Sequence, residues 1–180
     1  MMFLMAASFQ ACNNGDSANK DSVENAKEQN EANKAVPEDD SKFMVKAASG
    51  GMMEVELGQA AQQKAQSQRV KDFGAMMVRD HTQANNELKA LAANKNVSLP
   101  AALGDDHQKH VNELNEKTGA DFDKAYMSMM VDDHKKDISE FEDAANKGND
   151  ADIKAFAAKT LPVLRTHLDS AQAVHDGIKK

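Results

Sequence analysis

Three histidines and one glutamate are the residues of this chain whose types and spacing point to chemistry. His81 and His134 each close a hexapeptide that occurs twice, Met76-Met77-Val78-Arg79-Asp80-His81 and Met129-Met130-Val131-Asp132-Asp133-His134, with five of six positions identical. His167 ends a third motif, Thr160-Leu161-Pro162-x-Leu164-x-x-His167, and Glu54 sits in Gly51-Met52-Met53-Glu54-Val55-Glu56-Leu57-Gly58. Imidazole and carboxylate together form a ligand set for a transition metal such as Cu, Zn, Fe or Mn, if the fold brings them to one point. Met77 and Met130, one turn before their histidines, add thioethers, which suit Cu(I) and equally fill irregular cores. Glu56, Asp80, Asp133 and Asp169 are the carboxylates available to orient the imidazoles from behind.

The elements that must position these groups are helices. Ala, Lys, Glu, Asp, Gln and Met dominate, Trp is absent and there are only three prolines, Pro37, Pro100 and Pro162. Unbranched side chains lose little rotamer freedom in a helix, so this composition favours an all-α chain. Helix one is expected from Asp40 or Ser41 to about Gln66, interrupted by Gly50-Gly51, where a kink or a close helix contact is expected. Helix two spans about 68–94. A connection over 95–119 contains a short polar helix anchored by Val111 and Leu114, expected across the bundle end. Helix three runs from Gly119, with Asp121 as its cap, to Lys147, where Gly148 is expected to supply a left-handed terminus. Helix four opens at Asp150 or Asp152 and carries Pro162 in its interior, where a bend is expected. Four amphipathic helices in two short hairpins make an antiparallel four-helix bundle.

Helical phase then places the four groups. Val70, Phe73, Met77, His81, Ala84 and Leu88 follow steps of three and four, so His81 belongs to the buried stripe of its helix. His134 falls in the same way among Tyr126, Met130, Ile138 and Phe141, and His167 among Leu164, Ala171 and Val174. Glu54 is on the inner face of helix one with Leu57 and Ala61. Counted from the hairpin turns at about 1.5 Å per residue, all four lie near one middle layer. Burying so many polar groups costs several kcal/mol unless they pair or bind an ion. Two readings follow: a metal site built from Glu54, His81, His134 and His167, or a non-catalytic structural or stress-related module in which the same residues only hydrogen-bond one another. His107, His110 and His175 read as surface residues.

Several functions are disfavoured. A formal charge of −7 without a Lys/Arg cluster argues against nucleic-acid binding. No nucleophile stands beside a base, no Gly loop suits phosphate and no open acid pair is apparent, so an enzyme is the weakest class.

The N-terminus suggests export. Met1 to Ala11 is a short apolar run ending in small residues before the single cysteine, Cys12, and Asn13-Asn14-Gly15-Asp16-Ser17 follows. This resembles a bacterial lipoprotein signal, which implies a lipidated Cys12, a membrane as partner, and a place in the cell envelope, at the periplasm or outer membrane. The organisation expected is a signal over 1–12, a disordered polar tether over 13–41 and a helical domain over 42–180.

Taken together, Gly51 to Gly58, Val70-Lys71-Asp72-Phe73, the two Met-Met-Val-x-Asp-His stretches and Ala157-x-x-Thr160-Leu161-Pro162-x-Leu164-x-x-His167-Leu168 resemble a bacterial envelope family catalogued as a domain of unknown function and often labelled an outer-membrane protein. The resemblance covers about 42–179. It implies a ferritin-like four-helix fold and an envelope location, and no settled activity. Ferritin-like di-iron enzymes carry Glu-x-x-His on two helices. Here the third residue before His81, His134 and His167 is Val78, Val131 and Leu164. A carboxylate-bridged iron pair is therefore disfavoured, while a single-ion site is not.

Overall fold

A computed structural model of the chain describes residues 20–178. The described residues form helices α1 (Ser22–Asn33), α2 (Glu38–Lys64), α3 (Gln68–Lys95), α4 (Asp105–Asn115), α5 (Gly119–Lys147) and α6 (Ala151–Ile178), with no strand among them. The expected signal over 1–12, Cys12 included, lies outside the described residues.

Two helical hairpins, α2/α3 and α5/α6, pack on each other through α2 with α5 and α3 with α6. A buried aspartate of each hairpin holds the turn of the other. Asp123 of α5 accepts the backbone N–H groups of Gln66 (3.0 Å) and Ser67 (2.8 Å) in the α2–α3 turn. Asp40 of α2 accepts those of Asn149 (3.1 Å) and Asp150 (2.8 Å) in the α5–α6 turn. Turn N–H groups would otherwise be left without partners beside the core, so these carboxylates set the register of one hairpin on the other.

The same contacts fix chain direction. Both α3 and α5 start at the Gln66 end, so the connection between them must return along the whole length of the hairpins. It carries α4 along the flank of α2: the His107 Nδ1 is 2.8 Å from Ser49 Oγ, and Lys64 Nζ donates to the Asn115 carbonyl at 2.5 Å. The expected placement across the bundle end is thus corrected, although Val111 and Leu114 are its buried anchors as the pattern implied. α2 and α3 are in close backbone contact where two glycines face each other. A Cβ on Gly58 would lie 2.7 Å from the Gly74 carbonyl oxygen, and one on Gly74 would lie 2.7 Å from that of Gly58. Gly51 lies against the Asn85 side chain of α3, a contact that a turn of that side chain can relieve. At Gly148 the left-handed expectation fails, since φ is −55° there. That glycine is needed for room, because a Cβ would sit 2.5 Å from the Ala144 carbonyl oxygen and 3.0 Å from the Asp40 oxygen that caps the turn. α6 continues through Pro162 as one helix.

The residues expected to form a disordered tether include α1, which corrects that reading from residue 20 onward. Asp21 caps α1 by accepting the Glu24 N–H at 2.9 Å, and buried Asn30 makes two bonds to Ser98, donating to its carbonyl (2.9 Å) and accepting its N–H (2.7 Å). Ala26 is also buried. Composition did not reveal this docking because polar side chains and backbone groups, rather than an apolar stripe, supply it.

Apolar packing divides into two clusters. One holds Met53, Leu57, Phe73, Met77, Phe122, Tyr126 and Met130 among others; the second holds Phe43, Met44, Leu88, Phe141, Phe156 and Leu164. Glu54, His81, His134 and His167 occupy the level between them.

Candidate metal centre

One titratable side chain comes inward from each of α2, α3, α5 and α6, and all four are buried: Glu54 is 2% exposed, His81 6%, His134 0% and His167 1%. One ring nitrogen from each histidine lies within 4.8 Å of the others. Periodicity on four separate helices therefore converges as the stripes implied.

Outer partners decide which nitrogen of each ring is left facing inward. The Met130 carbonyl, 2.9 Å from His134 Nδ1, accepts only, so Nδ1 carries the proton and Nε2 a lone pair. Asp80 Oδ2, 3.0 Å from His167 Nε2, accepts that N–H and leaves the lone pair on Nδ1. Glu54 Oε2 accepts from His81 Nδ1 at 2.8 Å, and His81 Nε2 is buried with no hydrogen-bond partner. Consequently His134 Nε2 and His167 Nδ1 face each other at 3.3 Å as two acceptors. That separation equals the ligand-to-ligand edge of roughly 3.3 Å in a tetrahedral site with bonds near 2 Å. Glu54 Oε1, also unpartnered, stands 3.5 Å from His134 Nε2.

Electrostatics match this arrangement. Burial pushes all three imidazoles down to about 4, so they are neutral at physiological pH, the form in which an imidazole can bind a metal. Burial also raises the Glu54 carboxyl to about 7. Asp80 is held below the usual carboxylate range against the effect of its own partial burial, because Arg79 (2.7 and 2.9 Å) and His167 bond to it.

Not every residue expected at the centre is there. Asp80 orients His167 as expected. Asp133 makes no hydrogen bond to His81, His134 or His167; its Oδ2 is buried without a hydrogen-bond partner, burial raises its pKa against the opposing effect of the nearby His110, and the residue lines a cavity beside α4. Glu56 and Asp169 are exposed on α2 and α6 and orient nothing, which corrects both. Met77 and Met130 are fully buried in the apolar cluster one turn away, where they pack the core. His107 and His110 are half-buried rather than on the surface, and His175 contacts Ser128 at 3.1 Å.

Sequence reasoning missed two groups. Tyr126 is fully buried with an unpartnered hydroxyl, and the Glu54 carboxylate nearby adds to the burial that raises its pKa. Asp137, one turn beyond His134, is raised well above its usual value by burial first and then by Glu54, Asp133 and Glu140. The Asp133/Asp137 pair at a spacing of four was the available signal.

Fold and site define a class: an all-helical domain that buries three imidazoles, contributed by three helices, around a common point. The chain belongs to the domain-of-unknown-function family DUF4142, whose model matches residues 25–174. The match begins within α1 and so includes the helix expected to be tether. No curated protein and no solved structure matches the chain.

Proposed function

We propose that this domain is a ferritin-like four-helix bundle that binds one borderline transition-metal ion through His81, His134 and His167, with Glu54 beside them. The observation that carries the reading is the pair of facing acceptors, His134 Nε2 and His167 Nδ1, at 3.3 Å. A hydrogen-bond network is the rival. Closing that network requires a proton between the two nitrogens, yet both outer nitrogens already hold theirs, and protonating either ring works against the burial that holds its pKa near 4. A cation satisfies both lone pairs, and an all-imidazole set favours Zn or Cu over Mn or Fe. The single chain-crossing connection and the parallel pair α3 and α5 support the ferritin-like topology. With Glu54 the only buried acid at the imidazoles among the described residues, the donors suit a single ion rather than a carboxylate-bridged pair.

Elemental analysis and calorimetric titration with Zn, Cu, Mn and Fe test the reading. One ion per chain is expected, with a rise in melting temperature as the bound ion stabilises the native state by mass action. His134→Ala is expected to abolish uptake while circular dichroism retains the helices. A wild-type chain whose melting temperature no ion raises sinks the proposal and favours the structural module.

The proposal includes export and lipid attachment at Cys12, supported by the apolar run that ends there. No helix among the described residues is long and apolar enough to cross a membrane. Labelled palmitate incorporated by the wild type and not by Cys12→Ala is the expected result; equal labelling of both would overturn this part.

A further inference from the structure

A cavity of about 380 Å³ lies among α1, α2, the start of α4 and α5, and Glu54 lines it. A second, of about 30 Å³, lies among α2, α3, α5 and α6 and is lined by His81. The two cavities share Gly50, Glu54 and Asp137 in their walls. The smaller is wide enough for a water molecule or a small ion. The larger is bounded outwardly by the exposed residues Glu24, Lys46, Asp105 and Asp106. Eight carboxylates and three lysines line it. Two of those lysines are already engaged, Lys46 with Glu140 (3.3 Å) and Lys27 with Glu24 (3.1 Å). Lys136 is left facing Asp133 and Asp137.

Unpartnered, buried oxygens among these acids point to a cation. Glu54, 2% exposed, presents an unpartnered Oε1, and Asp133 presents a buried, unpartnered Oδ2. A glycine stands where the two cavities meet, and a Cβ on Gly50 would meet nothing within 4 Å, whereas one on neighbouring Gly51 would lie 2.2 Å from Asn85 Oδ1. Gly51 is thus explained by packing on α3. Gly50 is not; a glycine inside a helix costs about 1 kcal/mol against Ala, and here it leaves open space beside both cavities.

Resting on the metal reading above, we infer that this acidic cavity is the entry route of the ion, with Asp137 and Glu54 handing it from the solvent-facing chamber past Gly50 to the imidazoles. The exposed carboxylates at the cavity mouth raise local cation concentration and association rate, an effect that salt weakens. Asp137 and Glu54, whose pKa burial raises, instead give up a proton as the ion reaches them. Asp137 and Gly50 belong to the path and not to the ligand set, so they should govern how fast the ion arrives and not how tightly it is held.

Stopped-flow uptake of Zn²⁺ by the metal-free full chain, read against a chromophoric chelator, tests this. Asp137→Asn and Gly50→Met are compared with the wild type, together with equilibrium affinity and the dependence of the rate on ionic strength. Loading slowed by ~tenfold in each variant, with affinity little changed and a wild-type rate that falls with salt, is the expected result. Variants that load at the wild-type rate overturn the route while leaving the metal site standing. A wild-type chain that takes up no ion overturns the metal reading itself, and the route with it. Should Gly50→Met fail to fold, Asp137→Asn and the salt dependence still decide.

Discussion

His134 on α5 and His167 on α6 present unprotonated nitrogens to each other at 3.3 Å, because a main-chain carbonyl holds the proton of one ring outward and Asp80 that of the other. The acid on α3 therefore governs a ring on α6. Asp80→Ala frees His167 to change tautomer and rotate, and is expected to lower metal affinity by about 10–100-fold without removing the site. Calorimetric titration of the variant checks this; unchanged affinity would place Asp80 outside the centre.

The acid response of the site follows from its pKa values. Metal binding takes the deprotonated carboxylate, and Glu54 titrates at about 7, so lowering the pH below 7 adds one competing proton. The imidazoles, held at about 4, add theirs only near that pH. Log affinity should be flat above pH 7 to 8, fall by about one per pH unit below it, and steepen only near pH 4. Titrations in buffers of different ionisation enthalpy should show about half a proton released per ion at pH 7. A slope of three starting near pH 6.5 would mean that the imidazoles are solvated.

Gly58 and Gly74 predict a packing defect of known direction. A methyl at either meets the other's carbonyl oxygen at 2.7 Å, and backbone cannot rotate away as a side chain can. Gly58→Ala or Gly74→Ala should destabilise the domain by about 1–3 kcal/mol in urea unfolding, despite the gain in helix propensity. A stabilised variant would show that α2 and α3 sit farther apart.

Asp123 holds two turn N–H groups of the other hairpin. Asp123→Ala should cost about 2 kcal/mol or more, since both donors stay partly buried. It should also weaken metal binding indirectly, by loosening the register of α2/α3 on α5/α6. Chemical denaturation and titration on the same variant separate the two effects.

Docking of α1 centres on the two buried bonds between Asn30 and Ser98, flanked by Asn33, which donates to the Asn96 carbonyl (2.7 Å), and by Ser22, which accepts the N–H groups of Ala101 and Ala102. Asn30→Ala should release α1 locally, seen as faster amide hydrogen exchange over 22–33 with the rest of the protein protected as before. Exchange in the wild type as fast as in the variant would restore the tether.

The sequence alone determined the four long helices, the inward phase of Glu54, His81, His134 and His167, and their common level, because a helix turns by a fixed angle and rises by a fixed step. Hence one residue on each stripe could be placed before any contact was known. It did not separate the two copies of the repeated hexapeptide, in which Asp80 and Asp133 occupy the same position. Only the tertiary structure did so: α6 brings an imidazole to Asp80, whereas Asp133 faces the acidic cavity beside α4. The same applies to the polar α1, which looked unable to fold until Ser98 supplied its hydrogen bonds, and to Asp40 and Asp123, ordinary acids in sequence that become turn anchors. Periodicity is a local property and can be read along one chain segment; a hydrogen-bond partner tens of residues away is decided only when two segments meet.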